Sequence, residues 1–87
     1  MQEEINTSGI EQYVIDYVFK LRNEKGLSQE GIATILHVKR TFITNVENPK
    51  NRAKYNLAHI DKLADHFGLS PRQFLPNKAL YKELTSK

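Results

Sequence analysis

The chain has no cysteine and no tryptophan, and only one methionine among its 87 residues. Without cysteine there is no disulfide, no thiol nucleophile and no cysteine-ligated zinc. No apolar run approaches the ~20 residues that cross a bilayer, and no secretory leader pattern opens the chain. A cytoplasmic protein that makes no membrane contact is therefore expected. Histidine is scarce too: His59 and His66 stand two helical turns apart, too far to share an ion comfortably, and His37 falls in a connection. With no His-x-x-x-His pair, no carboxylate-rich set and no nucleophile–base pair, neither a metal, a cofactor nor an enzyme is expected.

What the chain does have is an uneven distribution of charge. The net charge is +3, yet residues 1–16 hold Glu3, Glu4, Glu11 and Asp16 with no Lys or Arg. Residues 39–54 hold Lys39, Arg40, Lys50, Arg52 and Lys54 against Glu47 alone. Such a cluster either solvates a surface or meets a phosphate backbone. The residues just before it decide in favour of the phosphate backbone.

Gln29 to Glu47 reads as two short helices joined by His37-Val38-Lys39. Ser28 is a good N-cap, because its hydroxyl can accept from a free backbone N–H one turn on. Ile32, Ala33, Ile35 and Leu36 give the first helix a buried face, and Ile43 and Val46 share one face of the second. The outward face of the second helix carries Arg40, Thr41, Thr44 and Asn45, all donors, preceded by Lys39. A short helix anchored by apolar residues, with donors turned outward, suits the major groove of DNA.

Gly26-Leu27-Ser28-Gln29-Glu30, followed by Ile32, Ala33, Leu36, Val38, Ile43, Val46 and Glu47, resembles the helix-turn-helix of the phage-repressor-like DNA-binding family of the Xre and Cro/C1 type. Similar spacing continues in Leu57, Ile60, Leu63, Ala64, Phe67, Gly68, Leu69 and Ser70, so the resemblance covers roughly residues 10–75. Three positions depart from the pattern. His37 stands where a turn Gly is usual, and His tolerates the left-handed region better than most residues. Lys39 replaces a capping Ser, a loss of about 1 kcal/mol. Gly31 replaces the Glu of a capping box.

The resemblance implies a sequence-specific regulator of transcription, expected to be a repressor, that inserts its third helix into the major groove of double-stranded DNA. It is expected to act as a homodimer on a two-fold site with half-sites about 34 Å apart. Arg40, Thr41, Thr44 and Asn45 are the expected base contacts. Arg40 has the planar fork that fits guanine O6 and N7, although it could instead clamp a phosphate. Phe42, next to buried Ile43, either packs at the core edge or touches thymine methyls and sugars; a partly exposed contact residue is expected. Gln29, at the start of the supporting helix beside free N–H groups, is the expected phosphate contact, joined by Lys39, Asn48, Lys50 and Arg52. Family members commonly pair an Arg in the first helix with the Glu that closes the recognition helix, which implies a partly buried Arg22–Glu47 ion pair. A second reading is an antitoxin-type module that binds a toxin and represses its own operon, with Phe74, Leu75 and Leu80 open to that protein partner.

An all-α fold of five helices around one small core is expected. Residues 1–7 read as a flexible N-terminus, 8–75 as the helix-turn-helix domain and 76–87 as a C-terminal tail. Ser8 and Glu11 fit a capping box that opens the first helix; Ile10, Val14, Tyr17, Val18 and Leu21 form its buried face, and Gly26 stops it after Glu24. Pro49 stops the recognition helix and begins a basic loop, in which the Tyr55 ring should cover the core edge with a wet hydroxyl. Asn56 caps a fourth helix, whose stripe is Leu57, Ile60, Leu63, Ala64 and Phe67. Ser70-Pro71-Arg72-Gln73 opens a short fifth helix. In the tail, Ala79, Leu80, Tyr81 and Leu84 could form a further short helix; the tail is either disordered, folded back on the domain or paired with a second copy, with the last two favoured over disorder.

Overall fold

The computed structural model describes residues 7–81. The expectations for residues 1–6 and for Leu84 lie outside that range. Among the described residues four α-helices follow one another: α1 (Gly9–Glu24), α2 (Gln29–Leu36), α3 (Arg40–Glu47) and α4 (Leu57–Phe67). Among the described residues there is no strand, and no helix is long and apolar enough to cross a membrane.

Local chemistry sets each boundary. At the start of α1, Ser8 Oγ accepts from the Glu11 N–H at 3.3 Å and Glu11 Oε1 accepts from the Ser8 N–H at 2.9 Å. These two bonds satisfy two donors that a helix start would otherwise leave orphaned. Gly26, at φ 69°, reverses the chain after α1. Ser28 Oγ accepts from the Gly31 N–H at 3.1 Å to start α2. His37 ends α2 in the left-handed conformation (φ 61°, ψ 44°), the one non-glycine with positive φ among the described residues. Lys39 opens α3 without any side-chain cap. α4 starts at a capping box in which Asn56 Oδ1 accepts from the His59 N–H at 2.8 Å, while His59 Nδ1 accepts from the Asn56 N–H at 3.1 Å.

The expected fifth helix is a single 3₁₀ turn, Pro71–Phe74. Pro76 disfavours helical geometry at Leu75, which is extended (φ −113°, ψ 152°). Four residues then remain, and they close with i to i+3 bonds: the Gln73 N–H to the Ser70 carbonyl at 2.9 Å, and the Leu75 N–H to the Arg72 carbonyl at 3.1 Å.

The core draws Val14, Ile15, Val18 and Leu21 from α1, Ile32, Ala33 and Leu36 from α2, Ile43 and Val46 from α3, and Ile60, Leu63 and Ala64 from α4. Tyr55 and Phe74 complete it. Each of the larger aliphatic side chains contributes about 1.5–3 kcal/mol through burial. The expected stripes need two corrections. Ile10 and Leu57 are 47% and 77% exposed, because each lies in the first turn of its helix, at the margin of the packed neighbours. Ile15, absent from the expected face, is buried, because α1 packs against both α3 and the 3₁₀ turn and so has a wider buried face than one stripe.

Residues 77–81 form no helix. Instead Leu80 lies against the first turn of α1, where a Cβ on Gly9 would stand 2.8 Å from the Leu80 carbonyl oxygen.

Candidate nucleic-acid interface

α3 is two-faced. Ile43 (0% exposed) and Val46 (3%) are buried, whereas Arg40, Thr41, Thr44 and Asn45 are exposed along its other edge. An apolar inner face and a polar outer edge on eight residues make a rod whose donors can reach past the protein surface.

The tilt of that rod is fixed at its C-terminal end. Arg22, near the end of α1, donates from Nε to Glu47 Oε2 and from Nη2 to Glu47 Oε1, both at 2.8 Å, and from Nη1 to the Leu27 carbonyl at 3.0 Å. The two side chains are 13% and 9% exposed, so the pair is poorly screened by water. Burial alone would raise the Glu47 pKa. The hydrogen bonds from Arg22 and Gln29, with the Arg22 charge, outweigh it and hold the carboxyl below its ordinary value.

Gln29 joins this cluster. Its Nε2 donates to Glu47 Oε1 at 2.9 Å, and its Oε1 accepts from the Thr44 hydroxyl at 2.8 Å. The first residue of α2 is therefore bonded both to the end and to the middle of α3. Arg40 approaches Glu30 only at 4.0 Å, with both side chains more than half exposed. A pair this open contributes little, and it leaves the guanidinium fork able to engage another acceptor.

Phe42 stands apart from the outward set. It is half-buried, its ring 5.2 Å from that of His59 and 6.2 Å from that of Tyr55. Phe42 packs at the core edge, because α4 and the loop before it supply aromatic partners, and it stays partly exposed. Tyr55 also differs from expectation: it is only 7% exposed, and its hydroxyl is buried with no protein hydrogen-bond partner among the described residues. Burial pushes its pKa well up. His59, expected to be an ordinary surface residue, is a half-buried member of this cluster and half of the α4 cap. Burial, helped by the Lys62 charge, pushes its pKa down. Its position three residues after Asn56 was the only sequence signal for that role.

The loop between α3 and α4 is held by side chain to backbone bonds. Asn48 Oδ1 accepts from the Lys50 N–H at 3.0 Å, and Asn51 Oδ1 accepts from the Ala53 N–H at 2.9 Å. Lys39, Asn48, Lys50 and Arg52 are all exposed. Lys54, the last basic residue of the cluster, meets Glu11 of α1 at 3.3 Å. Among the described residues no group of three or more His, Cys, Asp or Glu could hold a metal ion.

A family model described as helix-turn-helix matches residues 18–74. Among solved structures, the crystal structure of a hypothetical transcription factor, NHTF, from Neisseria is similar, with a TM-score of 0.60 and 30% sequence identity over 87% of this chain and 86% of that one. No curated protein matches this sequence.

Proposed function

Because the chain belongs to the helix-turn-helix family of the Xre and Cro/C1 type, whose members are DNA-binding transcriptional regulators, we propose that it is a sequence-specific repressor that lays α3 in the major groove of duplex DNA. The observation that carries this reading is the exposed edge of α3, with Arg40, Thr41 and Asn45 projecting from a helix whose other face is buried. Arg40 reads guanine O6 and N7 through two parallel bonds, Thr41 presents a hydroxyl and a methyl, and Asn45 reads adenine. Gln29, Lys39, Asn48, Lys50 and Arg52 bind phosphates and set the register. Phe42 supports the helix from behind, and its partly exposed edge reaches thymine methyls and sugars.

The protein binds as a homodimer to a two-fold site, each copy taking one half-site about one turn of DNA from the other. Occupying such a site excludes other proteins from it, which is the simplest route to repression. The antitoxin reading has less to stand on. Phe74, one of the three residues it needed at the surface, is fully buried, and Leu75 and Leu80 are half-buried.

The test is selection of bound duplexes from a random pool by the wild-type protein and by Arg40→Ala. The wild type should enrich a short palindrome, and the variant should relax the preference at one base pair of each half-site. A wild-type protein that enriches nothing at low ionic strength overturns the reading. Equal affinity and selectivity in Arg40→Ala remove Arg40 as a reader. Ultracentrifugation tests the dimer, which is excluded by a strict monomer at every concentration and on DNA.

A further inference from the structure

The polar contacts between α2 and α3 give Thr44 a role other than base reading. Ionised Glu47 can only accept hydrogen bonds, so the Gln29 atom 2.9 Å from it is the amide nitrogen. That orientation fixes the other end of the amide, placing Oε1 2.8 Å from Thr44 Oγ1. An amide oxygen can only accept, so Thr44 must donate. Its hydroxyl has a single proton, and the competing acceptor, the Arg40 carbonyl, is farther away at 3.3 Å. Thr44 therefore has no donor left for guanine O6 and N7 or thymine O4. Gln29, in contrast, keeps one Nε2 proton uncommitted among the described residues, on the first residue of α2 beside N–H groups that have no intrahelical acceptor.

We propose that Thr44 is a positioning residue, whose hydroxyl holds the Gln29 amide so that its uncommitted N–H meets a DNA phosphate. The proposal rests on the DNA-binding reading above. Glutamine loses considerable rotamer freedom when it is ordered. Two restraints, Glu47 and Thr44, order this one before DNA arrives, so less freedom is lost on binding. Thr44→Val keeps the shape of the side chain and its helix preference but removes the hydroxyl. One restraint is lost, and the amide must then be ordered by the phosphate itself.

The experiment uses the duplex that the wild-type protein selects from random DNA, with single methylphosphonates placed in turn along each strand. The phosphate that Gln29 contacts is the one whose neutralisation weakens the wild type but not Gln29→Ala. Thr44→Val should bind the unmodified duplex roughly 3- to 10-fold more weakly, lose most of its sensitivity at that same phosphate, and keep the wild-type base preference at every position. Thr44→Ser, which restores the hydroxyl without the methyl, should behave as the wild type. The proposal is overturned if Thr44→Val keeps the full phosphate sensitivity, if it changes the preference at any base pair, or if Thr44→Ser resembles Thr44→Val. It is also overturned if no phosphate distinguishes the wild type from Gln29→Ala while the wild type still selects a duplex. If the wild type selects no duplex, the DNA reading fails first and takes this proposal with it.

Discussion

Arg22 meets both oxygens of the Glu47 carboxylate at 2.8 Å while its third nitrogen holds the Leu27 carbonyl. One guanidinium thereby ties the end of α1, the connection to α2 and the last residue of α3. Removing either partner leaves the other charge in a site that water barely reaches. Arg22→Ala should lose about 2–4 kcal/mol in urea unfolding. The apolar double replacement Arg22→Met with Glu47→Leu should recover most of that loss. A loss below ~1 kcal/mol for the single variant would place the pair with ordinary exposed ones.

Stability should fall with acid in two stages. The native His59 pKa is depressed, so its contribution is complete above the ordinary value of 6.5. Below that pH the unfolded chain takes up a proton that the native state resists, and stability drops until the pH reaches the native pKa. Protonation also removes the Nδ1 lone pair that accepts from the Asn56 N–H. Glu47 is depressed as well, so its contribution is present above 4.5 and is lost as pH falls from there through its native pKa. Thermal unfolding followed from about pH 7 to about pH 5 isolates the first stage. His59→Gln keeps a capping acceptor without a titrating group and should flatten that stage while leaving the lower one. An unchanged slope in the variant would assign the first stage to other groups.

Among the described residues the buried Tyr55 hydroxyl has no protein partner, which costs stability that a plain ring would not lose. Tyr55→Phe should leave the melting temperature unchanged or raise it, a gain of up to about 1 kcal/mol. A loss of more than ~1 kcal/mol would mean that the hydroxyl has a bonded partner, such as an ordered water.

Gly9 has room for no side chain, since its Cβ would stand 2.8 Å from the Leu80 carbonyl oxygen and 3.0 Å from Leu80 Cβ. Gly9→Ala should therefore push residues 77–81 off α1 while leaving the core intact. Proton–proton NOEs between Leu80 and the first turn of α1 should be lost, with those inside the α2–α3 core unchanged. Retained NOEs from Leu80 to that turn would show that Leu80 accommodates the methyl in place.

These positions mark how far the sequence alone could be read. Ser8 with Glu11, Ser28, Asn56 and Gly26 declared the helix ends, because capping is local chemistry. Ile43 and Val46 set the face of α3 for the same reason, being three residues apart on one short helix. The width of a buried face is not local. Ile15 is buried only because two elements grip α1, and Ile10 and Leu57 are exposed because each sits at the margin of its packed neighbours. Tyr55 and His59 were unreadable for a related reason: a loop tyrosine and a helical histidine take their surroundings from Phe42, which comes from another helix. Within the candidate site, the outward residues of α3 followed from periodicity. The bond from Thr44 to Gln29 spans fifteen positions of sequence and depends on side-chain orientations that no spacing encodes.

The most direct measurement is an amide NMR titration of the protein with the duplex it selects, at low ionic strength. Shifts should concentrate at residues 39–48 and at the start of α2 around Gln29, with the 3₁₀ turn and residues 77–81 little changed at fixed oligomeric state. Shifts centred on the first turn of α1 or on residues 75–81, with the α3 edge unmoved, would contradict the assignment of α3 to the groove.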